Sequence, residues 1–259
     1  MSGAALGQIQ LEIDGDGPPI VFLHGLGASS SSFQPLLDSL GGFRCIRPDL
    51  PGAGRSSLPF AKITMELLVE AVGEILRTVA GAPAHLVAHS MGTLVALHVA
   101  AAASDAVLSL TLFGPIGAPG EAARERLRER ARLVRQNGMI AVADAVAAAG
   151  LSTATKSINP IALAYVRESH LRQDAEGFAQ SCEALAAAGG VDLRRLRPPA
   201  LFVTGEDDPI APPTAVQALA DGIKSAKVRI LARCGHWTPL EEPKQCARLA
   251  SDHIRAFAS

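Results

Sequence analysis

Along the chain, short apolar runs alternate with segments in which apolar residues recur every three or four positions. The runs "QIQLEI", "PPIVFLHG", "FRCIRPDL", "AHLVAH" and "AVLSLTLFG" predict five strands in the first half of the chain. Helical spacing predicts a helix from about Thr64 to Ala80, and "MGTLVALHVAAAA" predicts a second one. Because strands and helices alternate, we expect a parallel sheet that is covered by helices on both faces.

This alternation stops after the fifth predicted strand. Residues 117–190 contain no convincing strand, whereas "EAARERLRERARLVRQ", "MIAVADAVAAAG" and "GFAQSCEALAAAGG" predict helices. Further on, "PALFVTG" and "AKVRILA" predict two more strands, with a helix near Ala215–Ala220 between them and a final helix from Glu241 to about Phe257. The sequence therefore predicts one α/β core, residues 1–116 and 191–259, interrupted by a helical cap (lid), residues 117–190.

Composition narrows the class of protein. The chain has 259 residues, of which 48% are apolar, and a net charge of −1 that gives no electrostatic basis for binding nucleic acid or an anionic membrane. No apolar run reaches the roughly 18–20 residues that span a bilayer, and "MSGAALGQIQLEIDGDG" lacks the features of a signal peptide. The four scattered cysteines indicate free thiols. We expect a cytoplasmic protein with a small-molecule substrate, and homo-oligomerisation stays open.

One serine lies at a predicted strand-to-helix junction. In "LVAHSMGTL", Ser90 directly follows a predicted strand and precedes a predicted helix. A sharp turn there projects the side chain, and the small residues Ala88 and Gly92 leave room for neighbouring backbone. The N–H groups of the helix also point towards whatever approaches the serine. This pattern is weak by itself, because a serine that merely caps the helix has the same sequence.

An acid and a histidine follow the serine at the ends of later predicted strands. "LFVTGEDDPIAP" places Asp207 and Asp208 after one strand, and "VRILARCGHWTP" places His236 after the next. A nucleophilic serine needs a base, and the base needs a carboxylate that fixes its tautomer. The carboxyl ends of parallel strands lie at the same edge of a sheet. The sequence therefore predicts a catalytic triad of Ser90, His236 and one of the two aspartates.

Five segments together resemble the α/β-hydrolase-fold enzymes over essentially the whole chain. They are "HGLG" (24–27), "DLPGAGRSS" (49–57), "AHSMG" (88–92), "GEDDPIAP" (205–212) and "CGHW" (234–237). The resemblance implies the α/β-hydrolase fold, a mostly parallel central sheet with helices on both faces and an inserted helical cap. It selects Asp208 as the acid and the backbone N–H groups of Leu26 and Met91 as the oxyanion hole. It gives His24 a structural role and leaves the role of His89 open.

A Ser-His-Asp triad on this fold implies acyl transfer to water without a metal or an organic cofactor. The cap segments "NGMIAVADAV" and "EGFAQSCEALAAA" resemble 3-oxoadipate enol-lactonases, so we expect a lactonase or esterase for small substrates. A general carboxylesterase, a carbon–carbon bond hydrolase and a small-molecule receptor are the alternatives. The cap arginines that could bind a substrate carboxylate are Arg132, Arg135, Arg167 and Arg172. For each of them, a solvated helix face is the alternative position.

Overall fold

The computed structural model describes residues 8–258, so residues 1–7 and 259, which include the start of the segment examined for a signal peptide, lie outside the described part. The strands are β1 (Leu11–Asp14), β2 (Pro19–Leu23), β3 (Arg44–Pro48), β4 (Ala84–His89), β5 (Val107–Phe113), β6 (Ala200–Gly205) and β7 (Ala226–Leu231). They form one sheet in the order β1-β3-β2-β4-β5-β6-β7. Only the pair β1–β3 is antiparallel. The predicted mostly parallel sheet is confirmed.

The helices of the described residues follow the predicted alternation. They are α1 (Met65–Ile75), α2 (Met91–Ala102), α3 (Glu121–Asn137), α4 (Ile140–Gly150), α5 (Thr153–Ile158), α6 (Pro160–Leu171), α7 (Ala175–Ala187), α8 (Pro213–Ala220), α9 (Thr238–Glu241) and α10 (Pro243–Arg255). A π-helical turn, Leu76–Ala80, extends α1 to the predicted end of that helix. A series of 3₁₀ turns over Ser30–Leu40 was not predicted.

Both faces of the sheet are buried, each by its own set of helices. Along β2, Val21 and Leu23 pack into a cluster with α1, α2 and α8. The alternate residues, Ile20 and Phe22, pack on the opposite face with α10 and the 3₁₀ segment. Successive side chains of a strand point to opposite faces, so a continuous apolar run is what a doubly covered strand requires. Burying each large side chain stabilises the sheet by roughly 1.5–3 kcal/mol.

The cap contains the five helices α3–α7 and, among its described residues, no strand. Helix α3 packs on α7, with Ala131 and Val134 buried in the contact. Helices α5 and α6 were not predicted from the sequence. Helix α5 is only six residues long, and the apolar residues of α6 form no clear stripe, although Asn159 and Pro160 are a typical helix start. The bounds of the cap at residues 117 and 190 stay a prediction.

The predicted final helix corresponds to α10, and the short helix α9, which was not predicted, directly precedes it. Helix α9 ends at Glu241 and α10 begins at Pro243, because Glu242 has φ −127° and ψ 57°. Proline lacks an N–H group and disfavours the helical conformation in the residue before it. The break lets the side chain of Glu241 turn back towards the preceding loop, which carries His236.

The remaining sequence expectations concern membrane segments and cysteines. Within residues 8–258, no helix combines the length and apolar character that crossing a membrane requires. All four cysteines are buried and free of disulfide bonds. Burial raises the pKa of Cys45 to about 11 and that of Cys182 to about 12, so these thiols are unreactive packing residues.

Candidate active site

Ser90 occupies the sharp turn between β4 and α2. Its backbone has φ 51° and ψ −122°, in the region that favours glycine, and such strain costs on the order of 1–3 kcal/mol. Its N–H group donates to the carbonyl of Phe113 at 3.0 Å, and its carbonyl accepts from the hydroxyl of Thr93 at 2.6 Å. The same hydroxyl accepts from the N–H group of Ile116 at 3.1 Å. These bonds hold the turn in its strained form.

Two glycines permit the close approach of neighbouring backbone to this turn. A Cβ atom at Gly92 would lie 2.1 Å from the carbonyl oxygen of Leu23, so α2 can cross β2 only without a side chain there. A Cβ atom at Gly25 would lie 2.9 Å from the Cβ atom of Ser90. The loop after β2 therefore lies directly against the serine.

His236 lies in the loop after β7 and bridges the serine and the aspartate. Its Nε2 atom is 2.8 Å from Oγ of Ser90, and its Nδ1 atom is 2.8 Å from Oδ2 of Asp208. Its backbone N–H group donates to the carbonyl of Gly150 in the cap at 2.8 Å. The structure thus brings three sequence-predicted residues into one continuous hydrogen-bonded chain.

The two adjacent aspartates have different surroundings. Asp208 is 3% exposed, and its Oδ1 atom accepts from the N–H groups of Ile210 and Ala211, each at 2.8 Å. Burial opposes its ionisation, but the charge and hydrogen bond of His236 and these two amides outweigh burial and hold the pKa of Asp208 below its ordinary value. Asp207 is exposed, and its N–H group donates to the carbonyl of Cys234. Only Asp208 contacts the histidine.

His24 is a buried bridge within the loop after β2. Its Nε2 atom accepts from the N–H group of Leu50 at 2.9 Å, and its Nδ1 atom donates to the carbonyl of Gly25 at 2.9 Å. Burial lowers its pKa, so the ring is neutral. His24 therefore fixes the loop that carries Leu26.

A small cavity lies between this loop, the start of α2 and the cap. Its volume is about 10 Å³, and Leu26 and Met91 line it together with the cap residues Gln173, Phe178 and Ser181. The backbone N–H groups of Leu26 and Met91 form no hydrogen bond with any residue of the described part. Both amides are free to donate to a bound group, and the cavity beside them has room for about one water molecule.

His89, whose role the sequence left open, supports the loop of His236. Its Nε2 atom donates to the backbone carbonyl of His236 at 2.9 Å. Its ring centroid lies 5.0 Å from that of His236 and 5.0 Å from that of Trp237. Burial and, to a smaller extent, the charge of His236 lower the pKa of His89 to about 3. His89 is therefore neutral and serves as a hydrogen-bond donor.

The carboxylate of Glu241 holds the same loop from its other side, and the sequence analysis missed it. Its Oε2 atom accepts from the N–H groups of Gly235 and Ser152, each at 2.9 Å, and from the hydroxyl of Thr155 at 2.8 Å. Its Oε1 atom accepts from the N–H group of Trp237 at 3.0 Å. The only signal in the sequence is an acid five residues after the histidine, which reads equally well as the start of a helix.

The four cap arginines proposed for a substrate carboxylate lie elsewhere. Arg132 pairs with Glu125 and Glu129, Arg135 with Glu176 and Glu183, and Arg167 with Asp144 and Glu168. Arg172 is exposed, and none of the four lines the cavity. Arg132, Arg135 and Arg167 thus have carboxylate partners within the cap and Arg172 is exposed, which favours the alternative position, a solvated helix face, for each of the four.

A fifth arginine of the cap, Arg130, has different surroundings. It is half-buried on α3 and forms no hydrogen bond or salt bridge with any described residue. Burial lowers the pKa of His170 to about 4, and the charge of Arg130 adds to that effect. The same charge opposes the larger effect of burial on Cys182. Arg130 is thus a cation without a partner among the described residues, and like the other four arginines it does not line the cavity.

No metal site is built into the described residues. Across residues 8–258, no three His, Cys, Asp or Glu side chains lie close enough together to hold a metal ion. Asp208 and His236 are bonded to each other, and His24 and His89 are bonded to backbone carbonyls. These four side chains therefore already have hydrogen-bond partners within the protein.

Comparison with known proteins places the chain in a family. Residues 20–249 match the model of the alpha/beta hydrolase family. An esterase from Thermogutta terrifontis superposes with a TM-score of 0.91 at 25% identity, covering 97% of this chain and 94% of that one. The enol-lactonase from Burkholderia xenovorans has a TM-score of 0.86 at 30% identity, covering 95% and 96%. The (E)-2-((N-methylformamido)methylene)succinate hydrolase of Acinetobacter baylyi is 26% identical over 235 residues, covering 89% of this chain and 88% of that protein. The chain belongs to the alpha/beta hydrolase family.

Proposed function

We propose that this chain is a serine hydrolase that cleaves small esters or lactones through an acyl-enzyme. One observation carries the proposal: the chain of two 2.8 Å hydrogen bonds that joins Ser90, His236 and Asp208. In this mechanism Nε2 of His236 takes the hydroxyl proton as Ser90 attacks the carbonyl carbon. Asp208 holds Nδ1–H in place and stabilises the imidazolium that results.

The oxyanion and the second half of the reaction complete the mechanism. The N–H groups of Leu26 and Met91 donate to the oxygen that becomes negative when the tetrahedral intermediate forms. His236 then returns its proton to the leaving alkoxide, which departs as an alcohol or, from a lactone, as the hydroxyl or enol end of the ring-opened acyl group. A water molecule, deprotonated by His236, attacks the acyl-enzyme and releases the carboxylate product and free Ser90.

Substitution of Ser90 tests this proposal. We expect Ser90→Ala to lose covalent labelling by a fluorophosphonate and about 10⁴–10⁶-fold in kcat, while circular dichroism shows a folded protein. The matched control is Ser109→Ala. Ser109 is also buried, and its Oγ atom lies 2.8 Å from Nδ1 of His85, but no carboxylate continues this hydrogen-bonded pair. The triad is contradicted if the Ser90→Ala protein is still labelled, or if it retains more than a few per cent of the wild-type activity.

The composition of the cap bears on the size of the substrate. Phe178 and Ser181 of α7 line the small cavity beside Leu26 and Met91. The cap has only Tyr165 and Phe178 as aromatic residues and much of its apolar content is alanine, so it offers few large side chains that could grip a long acyl chain. A neighbour at 30% identity is named as an enol-lactonase. These observations support a small lactone or ester as substrate.

Arg130 supports a substrate that also bears a carboxylate. Its half-buried guanidinium has no hydrogen-bond or ion-pair partner among the described residues, and its charge acts on His170 and Cys182, although Arg130 itself does not line the cavity. A carboxylate could accept two parallel hydrogen bonds from it. In the proposed complex, Arg130 binds the carboxylate while the scissile carbonyl lies between Ser90 and the two free amides.

Kinetics with matched substrates tests this substrate class. We expect kcat/KM for 3-oxoadipate enol-lactone to exceed that for butyryl and dodecanoyl esters. Arg130→Gln should lower it about 10- to 100-fold for the lactone, since a charged hydrogen bond contributes roughly 1.5–3 kcal/mol, and should leave the butyryl ester nearly unchanged. Arg126→Gln is the control, because Arg126 is exposed on the same helix. Preference for the dodecanoyl ester, or equal effects of both variants, contradicts this substrate class.

The same assays separate the alternative functions. Faster turnover of a vinylogous diketone acid than of any lactone or ester would assign carbon–carbon bond hydrolysis. Binding of small molecules without turnover of any substrate and without labelling of Ser90 would assign a receptor. Either result would replace the esterase and lactonase proposal while leaving the family unchanged.

A further inference from the structure

The side chain of Glu241 is a buried carboxylate whose partners are all neutral. It is 9% exposed and accepts four hydrogen bonds, three from backbone N–H groups and one from the hydroxyl of Thr155. Burying a charge costs free energy unless hydrogen bonds replace its hydration. Here the charge itself strengthens each of those bonds, because hydrogen bonds to an ionised acceptor are roughly twice as strong as neutral ones.

Two of these bonds hold the residues on either side of His236. Gly235 donates to Oε2 at 2.9 Å and Trp237 donates to Oε1 at 3.0 Å. The backbone on both sides of the histidine is therefore fixed to one carboxylate. The imidazole of His236 must reach Ser90 and Asp208 at the same time, so rotation of the side chain cannot compensate for a shift of its backbone. The alignment of the ring therefore depends on this backbone.

The other two bonds come from the cap. Ser152 donates its N–H group to Oε2, and Thr155 donates its hydroxyl to the same atom. The cap also accepts the N–H group of His236 through the carbonyl of Gly150. The contact is close, because a Cβ atom at Gly235 would lie 2.6 Å from the N atom of Ser152. The junction between α4 and α5 therefore packs directly against the loop of the histidine.

We propose that Glu241 is a positioning residue, which holds His236 in line with Ser90 and couples that alignment to the α4–α5 junction of the cap. The proposal rests on the proposed function, in which His236 is the base. In this proposal, the carboxylate of Glu241 holds both the loop of His236 and the cap segment at Ser152 and Thr155. A displacement of the α4–α5 junction is then transmitted to the histidine through Ser152, Thr155 and Glu241.

Glu241→Gln tests the carboxylate with little change in volume. A glutamine has only one acceptor oxygen, so its NH₂ group must face at least one N–H donor. We expect kcat to fall about 100-fold, since misplacing a reacting group by about 1 Å costs on this order, while KM for a small ester changes less than about threefold. Glu242→Gln is the matched control, because Glu242 bonds only Gln245 at the surface, and it should match the wild-type protein.

Counting active sites separates positioning from stability. Exhaustive fluorophosphonate labelling gives the fraction of competent protein, and kcat is expressed per labelled site. A loss of kcat per site with KM preserved supports the proposal. A value within a factor of three of wild type overturns it, as does a loss that disappears after this correction. If the wild-type protein itself hydrolyses nothing, the proposed function fails first, which is a different result.

Thr155→Val decides the question if Glu241→Gln does not fold. This variant removes the bond from Thr155 to Glu241 and the bond that the hydroxyl of Ser152 donates to Thr155. It leaves both bonds to the loop of His236 intact. We expect kcat per labelled site to fall about 3- to 10-fold, in line with the loss of one hydrogen bond to Glu241. An unchanged kcat per site in this variant overturns the coupling between the cap and the base.

Discussion

Asp207 and Asp208 show how strongly position decides the chemistry of one residue type. Only Asp208 is buried, bonded to His236 and supported by two backbone amides. We expect Asp208→Asn to lower kcat about 10⁴-fold, because an amide stabilises the wrong tautomer of His236 and cannot stabilise its imidazolium. Steady-state hydrolysis of a butyryl ester measures this loss.

Asp207→Asn provides the comparison for that measurement. Asp207 is exposed and contacts the site only through its backbone N–H group, which the substitution keeps. Its kcat should stay within about twofold of wild type, as for most surface substitutions. A larger loss for Asp207→Asn than for Asp208→Asn would move the acid of the triad one residue back.

Sequence and structure agree best for residues whose role is set by their neighbours in the chain. Ser90, the two aspartates and His236 each follow a strand, so the strands predicted the triad, and the family resemblance then selected Asp208 over Asp207. Glu241 and Arg130 were missed for another reason. The bonds of Glu241 reach residues up to 89 positions away, and Arg130 differs from the paired arginines of α3 only in what surrounds it after folding. No local pattern contains that information.

The elements themselves show the same division. The strands and the longer helices of the core were predictable, because apolar periodicity follows directly from burial on one or two faces. Helix α5 was not, since it has only six residues, and α6 was not, since its apolar residues form no clear stripe. The break at Pro243 is a local signal that periodicity alone overlooks.

Two helical glycines provide a test at the scale of elements. Gly92 lies where α2 crosses β2, and a Cβ atom there would meet the carbonyl oxygen of Leu23 at 2.1 Å. Gly73 in α1 has no atom within 4 Å of such a Cβ. We expect Gly92→Ala to destabilise the fold by several kcal/mol, as backbone must move, and Gly73→Ala to stabilise it by about 0.5–1 kcal/mol. Equilibrium unfolding in urea compares the two, and equal effects contradict the crossing geometry.

At the scale of the whole molecule, the cap is bonded to the core through backbone as well as side chains. Gln173 of the cap accepts from the N–H group of Gly54, and Gln180 accepts from that of Ile63. At Gly177, a Cβ atom would lie 2.1 Å from the carbonyl oxygen of Gly52. Together with the bonds of Ser152 and Thr155 to Glu241, these contacts join the cap to the core at several separate places.

Neutral histidines buried in both core and cap make the stability of the whole molecule depend on pH. Burial lowers the pKa of His85 and His170 to about 4, and burial with the charge of His236 lowers that of His89 to about 3. In the unfolded chain each takes up a proton near pH 6.5. Between pH 6.5 and about 4 the unfolded state therefore binds more protons, and stability falls as the pH falls.

The expected loss at pH 5 is up to about 2 kcal/mol for each histidine, from 1.5 pH units at 1.36 kcal/mol per unit. Asp208 does not contribute in this window: its pKa is lowered, so its stabilisation persists above the unfolded value of about 3.8 and is lost only below it. Urea unfolding at pH 7.5 and pH 5 measures the difference in the free energy of unfolding. His170→Gln should reduce that difference by about one histidine's share. Equal free energies of unfolding at the two pH values would contradict this expectation, because the histidines would then bind protons as readily in the folded protein as in the unfolded chain.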